Sequence, residues 1–369
     1  MVVFITRIKK AALLLAALCM LLTIGACGAP GETGGAAVGA NGANGAAGAA
    51  GAAGAAGPTG PYAPVTVTDH AGREVTIEGD VGRLVSGYYI TSSVCLALGL
   101  ADRLVGIEAR ADARPIYALA KPELLSLPSV GTARDFNLEA CLELKPDLVL
   151  LPDRLRDAAD TLDEMGVPVI LVNPESYEAL LDMISIIGKA TGETGRAARL
   201  IEWIENSRKP VDELTSGLQD RPVVYMCGTE SWLTTTPRDM FQASLIDMAG
   251  GRNAAGGIDG SGRIGISYEQ LIVFDPDVII VPPEAGFGIE DVLADPLLTE
   301  LPAVRNGRVY QMPAAFEAWD SPVPSFMLGV KWLLGILHPD VYTTETLRRD
   351  AAGYYGEFYG IEIDAGMID

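Results

Sequence analysis

Hydrophobic and polar positions along the chain form a pattern that occurs twice. The first copy reads Phe136-Asn137-Leu138-Glu139, then Lys145-Pro146-Asp147, then Leu148-Val149-Leu150-Leu151-Pro152. The second reads Ile266-Ser267-Tyr268-Glu269, then Asp275-Pro276-Asp277, then Val278-Ile279-Ile280-Val281-Pro282. In each, the glutamate stands eight residues before the aspartate, and a proline closes four apolar residues. Asn137 and Ser267 predict helix N-caps, with the glutamate in the helix's first turn. The Pro-Asp pair ends the helix, and an apolar strand without polar alternation follows. Such a strand is buried on both faces, as in a parallel sheet. A repeat of this kind sets the architecture: two α/β lobes along one chain.

The remaining pattern fills in those lobes. Val65–Thr68 and Arg73–Ile77 alternate around His70-Ala71-Gly72 and predict a hairpin. Leu84-Val85-Ser86 begins a buried strand that leads through Gly87 into a helix ending near Leu100. Leu104–Ile107, Val167–Val172, Pro222–Met226 and Val309–Met312 predict further strands. Strands alternating with helices predict parallel sheets, two Rossmann-like units in all. Tyr177–Ala190 and Glu193–Leu218 are helical. The second has Ala197, Leu200, Ile201 and Ile204 at helical spacing and a candidate kink at Pro210. It lies between the lobes and suits a rigid connector. A further long helix ends near His338-Pro339, and the last thirty residues yield no reading.

The N-terminal segment differs in kind. Arg7, Lys9 and Lys10 precede the apolar stretch Ala11–Leu22, the form of an export signal. That stretch is short for a membrane span, which needs roughly twenty residues. Ile24-Gly25-Ala26-Cys27 follows and resembles the lipobox of bacterial lipoproteins. The resemblance implies cleavage before Cys27, lipid on that cysteine and anchoring to the outer face of the cell membrane. Gly28–Pro64 repeats Gly-Ala-Ala and predicts a flexible tether. The expected organisation is a signal over 1–26, a tether over 27–64, a first lobe over 65–192, a connecting helix over 193–218 and a second lobe over 219–369.

Charge and rare residues narrow the function. With 48 acidic and 27 basic residues the formal charge is −21, which argues against nucleic acid and against broad adhesion to anionic lipid. Removing the signal, which has three basic and no acidic residues, leaves −24. His70 and His338 are the only histidines, which argues against a multi-histidine metal site, and no metal ligands or cofactor are expected. Of five cysteines none forms a Cys-x-x-Cys, and Cys95 and Cys141 fall in apolar helical patterns, as small buried residues do. There is no Gly-x-Ser-x-Gly elbow, histidine triad or phosphate loop, so an enzyme is the least favoured class.

The order of these pieces resembles the substrate-binding proteins of ABC importers for iron–siderophore, haem and cobalamin. The likeness rests on Asn137-Leu138-Glu139 with Leu144-Lys145-Pro146-Asp147, on Ser267-Tyr268-Glu269-Gln270 with Asp275-Pro276-Asp277, and on the closing Leu333-Leu334-Gly335-Ile336-Leu337-His338-Pro339. It implies two lobes joined by one long helix, ligand in the cleft between them, and delivery to a permease dimer with its ATPase. It also implies that Glu139 and Glu269 dock onto permease arginines; first-turn helix capping is the simpler role for both. Haem binders of this family often have a tyrosine after the glycine preceding the first copy, where this chain has Thr132 after Gly131. Ala133 and Arg263 stand where cobalamin binders often place tryptophans.

In open α/β sheets ligands sit beyond the carboxyl ends of strands. That rule selects Tyr88, Tyr89, Arg110, Arg134, Arg154, Thr229, Trp232, Arg263, Glu284, Phe316 and Trp319 as cleft candidates. Arginines on so acidic a chain suggest an anionic ligand, and aromatics supply stacking area. An anionic metal chelate, foremost an iron–siderophore, fits that mix. Molybdate or tungstate, a nickel or cobalt chelate, and a corrinoid are the alternatives.

Overall fold

The computed structural model describes residues 63–368. The expected export signal, Cys27 and nearly all of the expected tether lie outside them. The hairpin forms from β1 (Val65–Thr68) and β2 (Glu74–Ile77), paired antiparallel with Val65 opposite Ile77. The first lobe continues through β3 (Leu84–Ser86), α1 (Tyr89–Ala97), β4 (Leu104–Gly106), α2 (Pro115–Ala120) and α3 (Leu138–Glu143). It is completed by β5 (Leu148–Pro152), α4 (Arg156–Glu164), β6 (Val169–Val172) and α5 (Tyr177–Thr191). Then comes α6 (Thr194–Ser216), about 35 Å long at 1.5 Å per residue. The second lobe runs β7 (Val223–Met226), β8 (Thr234–Thr235), α7 (Phe241–Met248), β9 (Arg252–Asn253), β10 (Ile264–Gly265) and α8 (Tyr268–Phe274). After these come β11 (Val278–Val281), α9 (Ile289–Ala294), α10 (Pro302–Arg305), β12 (Val309–Gln311) and α11 (Phe326–Leu337).

The repeat extends to topology. The first sheet has the order β4-β3-β5-β6 and the second β9-β7-β11-β12, every pair parallel. In both, the sheet's first strand in chain order lies between its second and third, and the strand that ends the repeated motif is the sheet's third. The motif's own chemistry explains why its aspartate matters. Asp147 Oδ2 accepts from the amides of Gly82 (2.9 Å) and Arg83 (2.7 Å), and Asp277 Oδ2 from that of Val223 (2.8 Å). Each carboxylate thus ties the entry of the third strand to the entry of the first. The residue before each Pro-Asp pair, Lys145 and Asp275, is left-handed at φ 48° and 46° and stops its helix there.

Strands β5, β6, β7 and β11 are buried throughout, and their alternate residues feed two faces. Val149 and Leu151 pack outward with Cys141 and Leu162, and Ile279 and Val281 with Tyr225 and Leu271. Leu150 and Ile280 face a shared core that passes from lobe to lobe through Leu200 and Ile204 of α6 and Phe326 of α11. Full burial of each such side chain contributes about 1.5–3 kcal/mol.

One large element had no reading in the sequence. α12 (Thr344–Tyr359) follows α11 and turns back onto the first lobe and the connector. Tyr354 lies 4.4 Å, ring centre to ring centre, from Trp203 of α6. Tyr359 donates to the carbonyl of Ser93 on α1 at 3.5 Å. Arg196, in the first turns of α6, donates both to Ala97 O at the end of α1 (2.7 Å) and to Phe358 O (2.6 Å). Among the described residues no helix is long and apolar enough to cross a membrane.

Candidate ligand-binding site

With strand order 2-1-3-4, the connections reverse between the first and third strands of each sheet, and ligands bind beyond that point. Beyond it stand Tyr88 and Tyr89 at the start of α1 after β3, Arg154 after β5, Thr229 after β7 and Glu284 after β11. Gly87 fits closely at the exit from β3: a Cβ there would lie 2.6 Å from Leu151 Cδ2 and force that buried side chain to shift.

The lobes meet along a strip of polar groups at these strand ends. Tyr89 Oη donates to Ser321 Oγ at 2.9 Å, a bond from first lobe to second. The guanidinium of Arg114 lies over the Tyr89 ring, 4.1 Å from its centre, and forms an ion pair with Glu284 of the other lobe. Beside them the amide of Ile116 donates to Phe316 O at 3.2 Å. On the second-lobe side Arg263 donates to Cys227 O (2.9 Å) and faces Asp320 at 3.5 Å. Burial pushes the Asp320 carboxyl above its usual range, and Arg263 holds it back. Burial likewise raises the Tyr89 phenol, opposed by its bond with Ser321. So one arginine from each lobe flanks a phenol–hydroxyl bridge, an arrangement suited to gripping an anion by guanidinium forks.

The residues predicted from sequence distribute as follows. Tyr89 and Arg263 belong to the strip. Tyr88 is buried beside it, its ring 5.5 Å from the guanidinium of the exposed Arg154. Thr229 is half-buried and its carbonyl accepts from Gly286. Trp232 is half-buried, edge-on to Phe287 at 5.2 Å. Arg110 and Arg134 are exposed and join none of these contacts. Phe316 and Trp319 are closed off in the core: their rings stack on one another, Phe316 stacks also on Tyr355, and Trp319 Nε1 donates to Tyr355 Oη at 2.9 Å. They stand behind the cleft. Arg114 was not singled out from sequence, although it lies only four residues beyond Arg110.

Glu139 and Glu269 are exposed in the first turns of α3 and α8. Asn137 accepts from the amide of Ala140 and Ser267 from that of Gln270, so each helix is already capped without its glutamate. The backbone amide of Glu269 and the Ser267 hydroxyl hold the Glu269 carboxyl below its usual range. His70 accepts from the Asn173 amide and His338 lies against Gly250 O, both away from the strip. Among the described residues no group of three or more His, Cys, Asp and Glu is placed to hold a metal ion. Two hollows of about 200 and 240 Å³, beside Lys331 and Tyr342 and along Arg73–Thr76, touch no residue of the strip.

Two like lobes closing on a charged, phenolic strip define a two-lobed solute-binding protein. The chain belongs to the periplasmic binding protein family, whose pattern matches residues 84–316. It is 26% identical over 287 residues to the uncharacterized ABC transporter substrate-binding lipoprotein YvrC of Bacillus subtilis, covering 76% of this chain and 87% of that one. It is 24% identical over 320 residues to the molybdate-binding protein MolA of Haemophilus influenzae, covering 79% and 90%. The crystal structure of a periplasmic solute binding protein from Veillonella parvula superposes with a TM-score of 0.74 at 27% identity, over 83% of this chain and 95% of that one. Other relatives at 24–26% identity bear names for cobalamin and for Fe(3+)-citrate.

Proposed function

We propose that this chain is the lipid-anchored, extracytoplasmic receptor of an ABC importer, capturing an anionic metal chelate such as an iron–siderophore and handing it to the permease dimer and its ATPase. The observation that carries this reading is the pairing of Arg114 and Arg263, one from each lobe, about the Tyr89–Ser321 bridge. Around them we place Tyr88, Arg154, Thr229 and Trp232 as cleft walls, Arg110 and Arg134 as its rim, and Phe316 and Trp319 as support from behind. A chelate brings its own metal donors, which suits a strip that has arginines and phenols but no histidine. Molybdate is the second reading, favoured by the 90% coverage of MolA. Native mass spectrometry of protein from its own growth medium distinguishes them by added mass and metal isotope pattern; a bound neutral species would sink both.

Two consequences are direct. Arg263→Ala is expected to weaken the captured anion by about 1.5–3 kcal/mol, the loss of a charge-assisted bond; calorimetry showing unchanged affinity removes Arg263 from the site. Cys27 is proposed as the lipidated residue, so Cys27→Ser is expected to move the protein from the membrane to the soluble fraction. Retention as firm as in the unaltered protein would refute the anchor.

A further inference from the structure

In the ion pair between Arg114 and Glu284 the carboxylate is the more exposed partner, the reverse of the pair between Arg263 and Asp320. Arg114 is fixed: its side chain is 22% exposed, and its guanidinium lies over the Tyr89 ring, 4.1 Å from the ring centre. The ring is itself held by its bond to Ser321. Glu284 is loosely held: its carboxylate is 48% exposed, and it stands on a loop just past the end of β11. An ion pair between one anchored and one half-exposed partner is weak enough to exchange. A ligand anion competes with water-accessible Glu284 for a preformed arginine.

The geometry points to Glu284 as an internal stand-in for the ligand: its carboxylate neutralises Arg114 and latches the lobes together, and an incoming anion replaces it on the same guanidinium. Arg114 is then the first-lobe specificity residue for anions. The latch follows from the contacts alone; the replacement rests on the anionic ligand class proposed above. If Glu284 occupies Arg114 in nine molecules of ten, its removal raises apparent anion affinity about tenfold, because only the free fraction binds.

The Ile116 amide reports on the latch. It bonds across the lobes to Phe316 O, two residues from Arg114. Hydrogen exchange at Ile116 is compared in the full-length protein, in Glu284→Gln and in Arg114→Gln/Glu284→Gln, with the sheet amides of Val149 and Ile279 as internal controls. Each protein is also titrated with molybdate, with ferric citrate and with cyanocobalamin. The expected result is exchange at Ile116 about tenfold faster in Glu284→Gln with the sheet amides unchanged. One of the two anions binds Glu284→Gln several-fold tighter than the unaltered protein, and the gain disappears in the double variant. Unchanged exchange at Ile116 in Glu284→Gln overturns the latch. Faster exchange without tighter anion binding, or a gain that survives loss of Arg114, overturns the replacement. Failure of the underlying ligand class has a different signature: neither anion binds any of the three proteins, whatever Ile116 does, and that result overturns the replacement together with the anionic reading.

Discussion

Raising the pH from 5 to 8 is expected to destabilise this protein, and Glu317→Gln is expected to remove much of that loss. Glu317 is 6% exposed and lies where the loop after β12 meets α12 and α1. Tyr359 donates to its Oε1 at 3.0 Å, and Oε2 is buried without a partner. Burial pushes its pKa from 4.5 up to about 7, held back by the hydroxyls of Ser325, Tyr359, Ser93 and Tyr355. The folded state therefore binds a proton that the unfolded chain releases between pH 4.5 and 7. That contribution is fully present below pH 4.5 and is lost as pH rises through 7. At about 1.4 kcal/mol per pH unit the loss approaches about 3 kcal/mol. Burial also raises Glu108 and Asp320, and both titrate with the same sign. The difference between Glu317→Gln and the unaltered protein isolates Glu317. Melting temperatures at pH 5 and pH 8 measure it, and equal slopes in the two proteins would show that Glu317 titrates normally.

Replacing Glu139 and Glu269 together by alanine is expected to abolish uptake while leaving ligand affinity intact. The two carboxylates occupy the same place in each repeat, on lobes joined by the stiff helix α6. A pseudo-symmetric pair of exposed acids suits a permease dimer that offers two equivalent basic patches. Neither acid joins the strip between the lobes, so neither should alter capture. Helix capping alone makes a different forecast: about 0.5–2 kcal/mol of stability at most, with transport otherwise normal. Asn137 and Ser267 already fill the caps, which makes even that loss small. Reconstituted uptake, ligand affinity and melting temperature of the double variant separate these outcomes. Normal uptake would end the docking role, and lost ligand binding would move both glutamates into the cleft.

The fold was legible wherever burial leaves a mark on sequence. Parallel strands covered on both faces read as unbroken apolar runs, so β5 and β11 announced themselves, and the spacing to Asp147 and Asp277 joined them into a repeat. α12 was legible in principle: Leu347, Ala351, Tyr354, Tyr355 and Phe358 recur at helical spacing. The site was less so. Tyr89 and Arg263 follow from strand ends, but Arg114 depends on the Tyr89 ring and on Glu284, 170 residues away. Phe316 and Trp319 look the same in sequence whether they face a cleft or a core; Tyr355, on the unread helix, decides it.

The return of α12 to α1 has a consequence for the order in which the chain acquires structure. Ser93 waits 266 residues for Tyr359. Arg196 cannot satisfy both Ala97 O and Phe358 O until the same late helix arrives. A nascent first lobe therefore leaves one face of α1 bare while the second lobe is still being made, and contacts so distant along the chain form slowly. The last long helix therefore acts as the closing piece of the first lobe, and its docking completes the join between α1 and the connector.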